Sequence, residues 1–170
     1  MKRIGLGYLI LALTVLALAS LACSTADIPF GDLTGDDTGS ATSAHGVAPA
    51  SCDSPAVALG PDQVNTLHID ETAEDYPANC NYYCTEVQSG ASSLTVDVRN
   101  FTEDLDLFVG LGSITSVLGV DPEDNPWKSN EYGTDPESVK ISAPDAGIYY
   151  IEICSFDGTA TDYDVKITVP

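Results

Sequence analysis

Basic residues are scarce in this chain: six Lys and Arg stand against 26 Asp and Glu, a formal charge of -20 over 170 residues. Lys2 and Arg3 are at the extreme N-terminus, so a chain cut after residue 22 keeps four bases and all 26 acids, a charge of -22. Such a surface repels the phosphate backbone that a nucleic-acid binder must neutralise, and anionic lipid headgroups as well. Nucleic acid is therefore excluded as a partner. Histidine is almost absent beyond His45 and His68, and there is no G-x-S-x-G turn to expose a nucleophilic serine. The chain is too short, once its N-terminal third is set aside, for a paired dinucleotide fold or an eight-fold barrel. No stretch beyond residue 22 repeats its apolar residues with a helical period. These absences point away from an enzyme.

Met1-Lys2-Arg3 is a short basic segment, followed by the uncharged apolar run Ile4 to Ala22 and then Cys23. That is the layout of an export signal, predicted over residues 1–22. Ser20-Leu21-Ala22-Cys23 resembles the lipobox of bacterial lipoproteins, in which the cysteine thiol is diacylated and the signal is cut before it. Cys23 is accordingly the expected lipidation site, and the lipid bilayer a partner through that anchor. Ser20 and Leu21 stand in the reverse of the usual order, so simple secretion after Ala19 or Ala22 and a retained helix are the alternatives. Each of these places the rest of the chain outside the cytoplasm. Residues 23–53 are rich in Gly, Ser, Thr, Ala and Asp, too poor in apolar surface to offset their ordering entropy. They read as a flexible spacer, with His45 a solvated linker residue.

From residue 54 onward the apolar spacing is two. Leu94, Val96 and Val98 alternate with polar residues, as do Leu105, Leu107 and Val109, Val139 and Ile141, and Tyr163, Val165, Ile167 and Val169. Further strands are predicted over 56–59, 66–69, 82–88, 113–117 and 148–154, with turn residues between them. About eight strands over 54–170 predict an all-β fold, an antiparallel jelly-roll-like sandwich. His68 is expected on a wet face.

With Cys23 lipidated, Cys52, Cys80, Cys84 and Cys154 remain, an even number suited to disulfides in an oxidising compartment. Paired C-x-x-C spacing for a zinc site is lacking. Cys80 and Cys84 are too far apart along an extended strand to bridge each other. Cys84 shares its strand face with Glu86, and Cys154 with Glu152, so both thiols are expected to face solvent. Cys84 with Cys154 is the expected bridge, leaving Cys52 for Cys80.

Four blocks then stand in order: Glu103-Asp104-Leu105-Asp106-Leu107-Phe108-Val109, Glu137-Ser138-Val139-Lys140-Ile141, Ala146-Gly147-Ile148-Tyr149-Tyr150-Ile151-Glu152-Ile153 and Tyr163-Asp164-Val165-Lys166-Ile167. Together they resemble the bacterial pre-peptidase C-terminal domain over about residues 92–169, and more loosely over 55–91. The resemblance implies a small jelly-roll-like accessory module of exported proteins, sometimes binding calcium or polymeric substrates. The cysteines are not part of that family's pattern, and these 170 residues are not expected to hold a peptidase beside the module.

Calcium is the cofactor these residue types suit, held by Asp104 and Asp106 with Asp121 and Asp124; Glu103, Glu123 and Asn125 are further oxygen donors, although no D-x-D-x-D-G loop is present. For a carbohydrate polymer or an envelope or extracellular protein partner, the candidate contact residues are Trp127 and Tyr132. Tyr82, Phe108 and Tyr150 are expected on the wet faces of their strands, while Trp127, Tyr132 and Tyr149 could face either way. The resulting expectation is a non-catalytic, lipid-anchored binding or adhesion module at the cell surface or outer membrane. The alternatives are a structural envelope lipoprotein without a dedicated ligand, and a small carboxylate-dependent hydrolase.

Overall fold

A computed structural model describes residues 45–170; the expected signal peptide over 1–22, the expected lipidation site Cys23 and residues 24–44 lie outside the described residues. The ten strands are β1 (Gly46–Val47), β2 (Val57–Ala58), β3 (Val64–Ile69), β4 (Cys80–Val87), β5 (Ser93–Arg99), β6 (Leu105–Leu111), β7 (Trp127–Ser129), β8 (Glu137–Ser142), β9 (Gly147–Ser155) and β10 (Thr161–Thr168). They form two sheets, one in the order β1-β4-β9-β6-β7 with β2 beside β4, the other β3-β10-β5-β8. All pairings are antiparallel except that of β2 with β4. The fold is the expected all-β sandwich. The four sequence blocks fall on β6, β8, β9 and β10.

The four-stranded sheet follows its alternation closely. Leu94, Val96 and Val98 of β5, Val139 and Ile141 of β8, and Tyr163, Val165 and Ile167 of β10 point inward and are buried. Its outer face is wet and cross-linked by polar bonds: Thr66 and Asn100 both donate to the Asp164 carboxylate, at 2.6 and 2.7 Å. His68 lies on this outer face as expected, its Nδ1 2.7 Å from Asp162. Across the core, the Tyr83 and Tyr163 hydroxyls meet at 2.6 Å and tie the two sheets.

The larger sheet departs from the expectation, because it is buried on both faces. Leu105, Leu107, Val109, Ile151 and Ile153 face the main core. On the other face Tyr82, Cys84 and Tyr150 form a second cluster with Ile114 and Val117. That face is roofed by residues 52–58 and by the turn after β6. Asp53 fastens the roof: its N–H donates to the Tyr150 hydroxyl at 3.0 Å and its carboxylate accepts from Ile114 N at 3.2 Å. The expected strand at 113–117 is instead a single 3-10 turn, Ile114–Ser116, lying on the sheet over Gly110. A side chain at Gly110 would meet the Ser116 carbonyl oxygen at 2.7 Å, so the turn can sit there only on glycine.

The disulfides are Cys52–Cys84 and Cys80–Cys154. The expected partners are corrected by register. β4 and β9 are neighbours, but Cys80 stands opposite Cys154, while Cys84 stands opposite Tyr150. Cys84 is fully buried under the roof, and reaches Cys52 in it. The start of the domain is corrected too: the spacer was expected to run to residue 53, yet Gly46 and Val47 pair with β4, and the Gln88 N–H donates to the His45 carbonyl at 2.7 Å. His45 is thus part of the domain's edge and not a solvated linker residue.

Candidate functional site

An open cleft of about 620 Å³ lies at the end of the larger sheet where Cys80 and Cys154 pair. One wall is the loop from Thr72 to Tyr76, another is the turn at Pro122 and Glu123, and a third runs from Cys154 to Gly158. Its floor holds Asp106 and Phe108, the outward residues of β6. The first and third walls are clasped together. Thr72 N donates to the Gly158 carbonyl at 2.9 Å, and a side chain at Gly158 (φ +69°) would meet the Thr72 carbonyl at 2.5 Å. Asn79 holds the same corner by donating from its amide to the Ser155 carbonyl.

The cleft is acidic and aromatic. Glu74, Asp75, Asp106, Glu123 and Asp157 line it, and no Lys or Arg does. Phe156, 61% exposed, stands on its rim. Asp104 joins this rim to the next loop: its carbonyl accepts from Phe156 N at 2.9 Å and its carboxylate from Gly133 N at 3.0 Å. Next to Gly133, Tyr132 is 89% exposed.

Two acids carry perturbed carboxyl groups, Asp106 on the cleft floor and Glu152 behind it. Burial, helped by the nearby Asp104 and Glu137 charges, pushes Asp106 up to about 6. Burial pushes Glu152 up to about 7, against the opposing pull of the Tyr82 and Tyr76 hydroxyls. Glu152 was expected to face solvent. It is fully buried, because its strand position lies between Tyr82 of β4 and Phe108 of β6, and Tyr76 covers it. Tyr82 donates to its Oε1 at 2.9 Å, and the Tyr76 hydroxyl lies 3.3 Å from its Oε2. Cys80, Glu152 and Cys154 present their ligand atoms within 4.8 Å of one another, but the two sulfurs are bonded together and offer no thiolate.

The expected calcium set is divided. Asp104 and Asp106 stay together, and Glu137 joins them: it is fully buried, accepts from Glu131 N at 3.1 Å with Oε1, and leaves Oε2 without a hydrogen-bond partner. Burial raises the Glu137 carboxyl against the opposing pull of the Ser129 hydroxyl and the Glu131 amide, with the Glu131 and Asp104 charges adding repulsion. Glu137 was not singled out in the sequence, where it reads as the polar start of a strand. Asp121 instead caps the 3-10 turn Pro122–Asp124, accepting from Glu123 N at 3.0 Å. That turn presents Pro122 and Glu123 to the cleft, with Asp121 and Asp124 outside the lining.

The aromatic expectations are corrected similarly. Trp127 lies opposite Val109 on β7, half-buried against the main core, its ring 6.0 Å from that of Tyr149. Tyr149 faces inward; Tyr82, Phe108 and Tyr150, expected on wet faces, are buried under the roof and the cleft. Of the two expected contact residues only Tyr132 is exposed. Phe156, for which the sequence carries no signal, is the other exposed aromatic at this end and lines the cleft.

No family model matches the chain, and no curated protein matches it. Among solved structures, the chain is similar to the pre-peptidase C-terminal domain of a collagenase from Bacillus anthracis. The two are 11% identical, the likeness covers 64% of this chain and 90% of that one, and the TM-score is 0.46.

Proposed function

We propose that this chain is an exported, non-catalytic binding module, anchored to the bilayer through Cys23, whose acidic cleft takes a carbohydrate polymer. The observation that carries the reading is the cleft: an open groove with an exposed phenylalanine on its rim and carboxylates along its walls, of which, among the described residues, only Glu123 is paired with a base, Lys128 at 3.0 Å. Aromatic faces stack on sugar rings while carboxylates accept bonds from hydroxyl or amino groups. A hydrolytic role for Glu152 with Asp106 is disfavoured, because Glu152 is sealed from the cleft by Tyr76 and Tyr82. Four disulfide-bonded cysteines suit an oxidising, extracytoplasmic setting.

A calcium ion fits the same end of the sandwich. Asp104, Asp106 and Glu137 repel one another, and the buried Glu137 Oε2 lacks a partner. A divalent cation would relieve both, with these three residues as its carboxylate donors.

The test is depletion of the mature protein from solution by insoluble polysaccharides, with calcium in excess and then with chelator. Phe156→Ala is expected to weaken binding about tenfold or more, the scale of losing one stacked aromatic. Equal depletion of the wild-type and Phe156→Ala proteins, or none across the panel, would favour a structural envelope component instead. Binding that survives chelator would remove calcium from the reading without touching the cleft.

A further inference from the structure

Tyr76 has one hydroxyl hydrogen and two strong acceptors. Its Oη lies 2.6 Å from the Val120 carbonyl and 3.3 Å from Glu152 Oε2. If Glu152 is ionised, the hydroxyl can satisfy only one of them, and a buried carboxylate oxygen is then left short of a donor. If Glu152 is protonated, every group is satisfied in one chain: Tyr82 donates to Glu152 Oε1, Glu152 Oε2–H donates to Tyr76, and Tyr76 donates to Val120. The short bond to Val120 is the arrangement of the protonated chain.

The residues at its two ends build the cleft. Tyr76 belongs to one wall, and Val120 leads into the Pro122–Glu123 wall facing it. We propose that Glu152 is a proton-operated latch on the cleft, which when protonated lets Tyr76 hold the 117–121 segment, and when ionised draws the Tyr76 hydroxyl away and releases it. This rests on the binding reading above and supplies its regulation: the cleft is closed up in mildly acidic surroundings and loosened in alkaline ones.

The surroundings of Glu152 leave it to respond alone. From β4 it meets Tyr82, and from the 70–79 loop Tyr76, both hydroxyls being pushed further from ionisation by burial and by Glu152 itself. From β6 it faces Phe108, with Asp106 at the diagonal position. Lys128 stands beyond Phe108 in the same row, but its ammonium is held by the Pro122 and Glu123 carbonyls and the Glu123 carboxylate, at 3.0 to 3.2 Å. Cys80 and Cys154 are in a disulfide and do not titrate. Asp121 adds negative charge on the Tyr76 side. Among the described residues no cation pairs with Glu152. The carboxyl, held at about 7, changes charge where the latch would have to work.

Hydrogen exchange of the whole mature protein without ligand tests this, at about pH 5.5 and about pH 8.5, on either side of that carboxyl, with intrinsic rates corrected. Amides of residues 117–121 are expected to lose about three- to tenfold in protection at the higher pH, the scale of one net hydrogen bond. Glu152→Gln, whose amide can donate to Tyr76 at any pH, should keep them protected throughout. Tyr76→Phe, which removes the link, should leave them equally exposed at both values. Unchanged protection in the wild type, or the wild-type response persisting in Tyr76→Phe, overturns the latch, as does a loss spread evenly over all strands. Because no ligand is present, such a failure leaves the polysaccharide assay to decide the binding reading separately.

Discussion

Replacing Cys80 and Cys154 together by serine is expected to lower the unfolding free energy by about 4 kcal/mol, the chain-entropy cost of opening so long a loop. The bridge closes a sequence separation of 74 residues, and Cys52–Cys84 one of 32, which predicts a slightly smaller loss for the second pair. For a domain of this size the first loss corresponds to a fall in Tm of about 10 to 20 °C. The two pairs differ in kind as well. Cys80–Cys154 joins adjacent strands that remain hydrogen-bonded without it, whereas Cys52–Cys84 pins the roof over Tyr82 and Tyr150. Losing the second should therefore expose those tyrosines to solvent before the sandwich unfolds, seen as a rise in dye binding or tyrosine reactivity. Thermal scans of both double variants, with peptide mapping of the oxidised wild type, check this. A bridge between Cys84 and Cys154 in the map would contradict the register of β4 on β9.

Stability is expected to fall as pH rises through the range between about 4.5 and about 7. Glu152 has its carboxyl raised from 4.5 to about 7, so the folded state holds a proton that the unfolded chain has released. Its contribution is fully present below the unfolded value and is lost as pH passes through the folded one. A shift of that size corresponds to about 3 kcal/mol, an upper figure because the buried site can relax. Asp106, raised to about 6, acts in the same direction, reduced by its partial exposure to the cleft. Asp164, lowered by its two hydrogen bonds, has the opposite sign but acts only at pH values below this range. The dense negative charge also disfavours the folded state at high pH, so the comparison must be with Glu152→Gln. In urea titrations across this range, the wild type should lose stability with pH more steeply than Glu152→Gln. Parallel curves for the two proteins would mean that Glu152 is not protonated in the folded state.

How much of this was legible depends on which sheet is considered. Along β5, β8 and β10, apolar and polar residues alternate cleanly, one face dry and one wet, and both the strands and their facing follow from the sequence. On β4, β6 and β9 both phases are apolar or aromatic: Tyr82 beside Tyr83, Phe108 beside Leu107, Tyr150 beside Tyr149. A strand apolar in both phases is covered on both faces, and that signal was available. It was masked by Glu86 and Glu152, which made the outward phase look wet. With Glu86 and Glu152 marking the outward phase as wet, Cys84 and Cys154 share that facing in the sequence, and a bridge between them is what the pattern implies. Register was the missing quantity, because a shift of four residues along β4 exchanges Cys84 for Cys80 opposite Cys154.

The candidate site was half legible for a related reason. Asp104, Asp106 and Tyr132 lie where the acidic turn and the loop before β8 put them. Glu137 and Phe156 were not recognised, since a cleft assembled from three loops brings together residues 72–76, 122–123 and 154–158, whose spacing carries no pattern. The facing of Trp127 depends on its register against Val109, which the sequence does not carry and which leaves the ring half-buried against the core.

The most direct measurement is an NMR titration of the mature protein with a soluble oligosaccharide of whichever polymer depletes it. Amide shifts are expected to cluster on residues 72–76, 106–108, 122–123, 130–133 and 154–158, the walls, floor and rim of the one cleft. Shifts confined to the outer face of the four-stranded sheet, around Asp97, Arg99 and Asp164, would contradict the assignment of the cleft as the binding site.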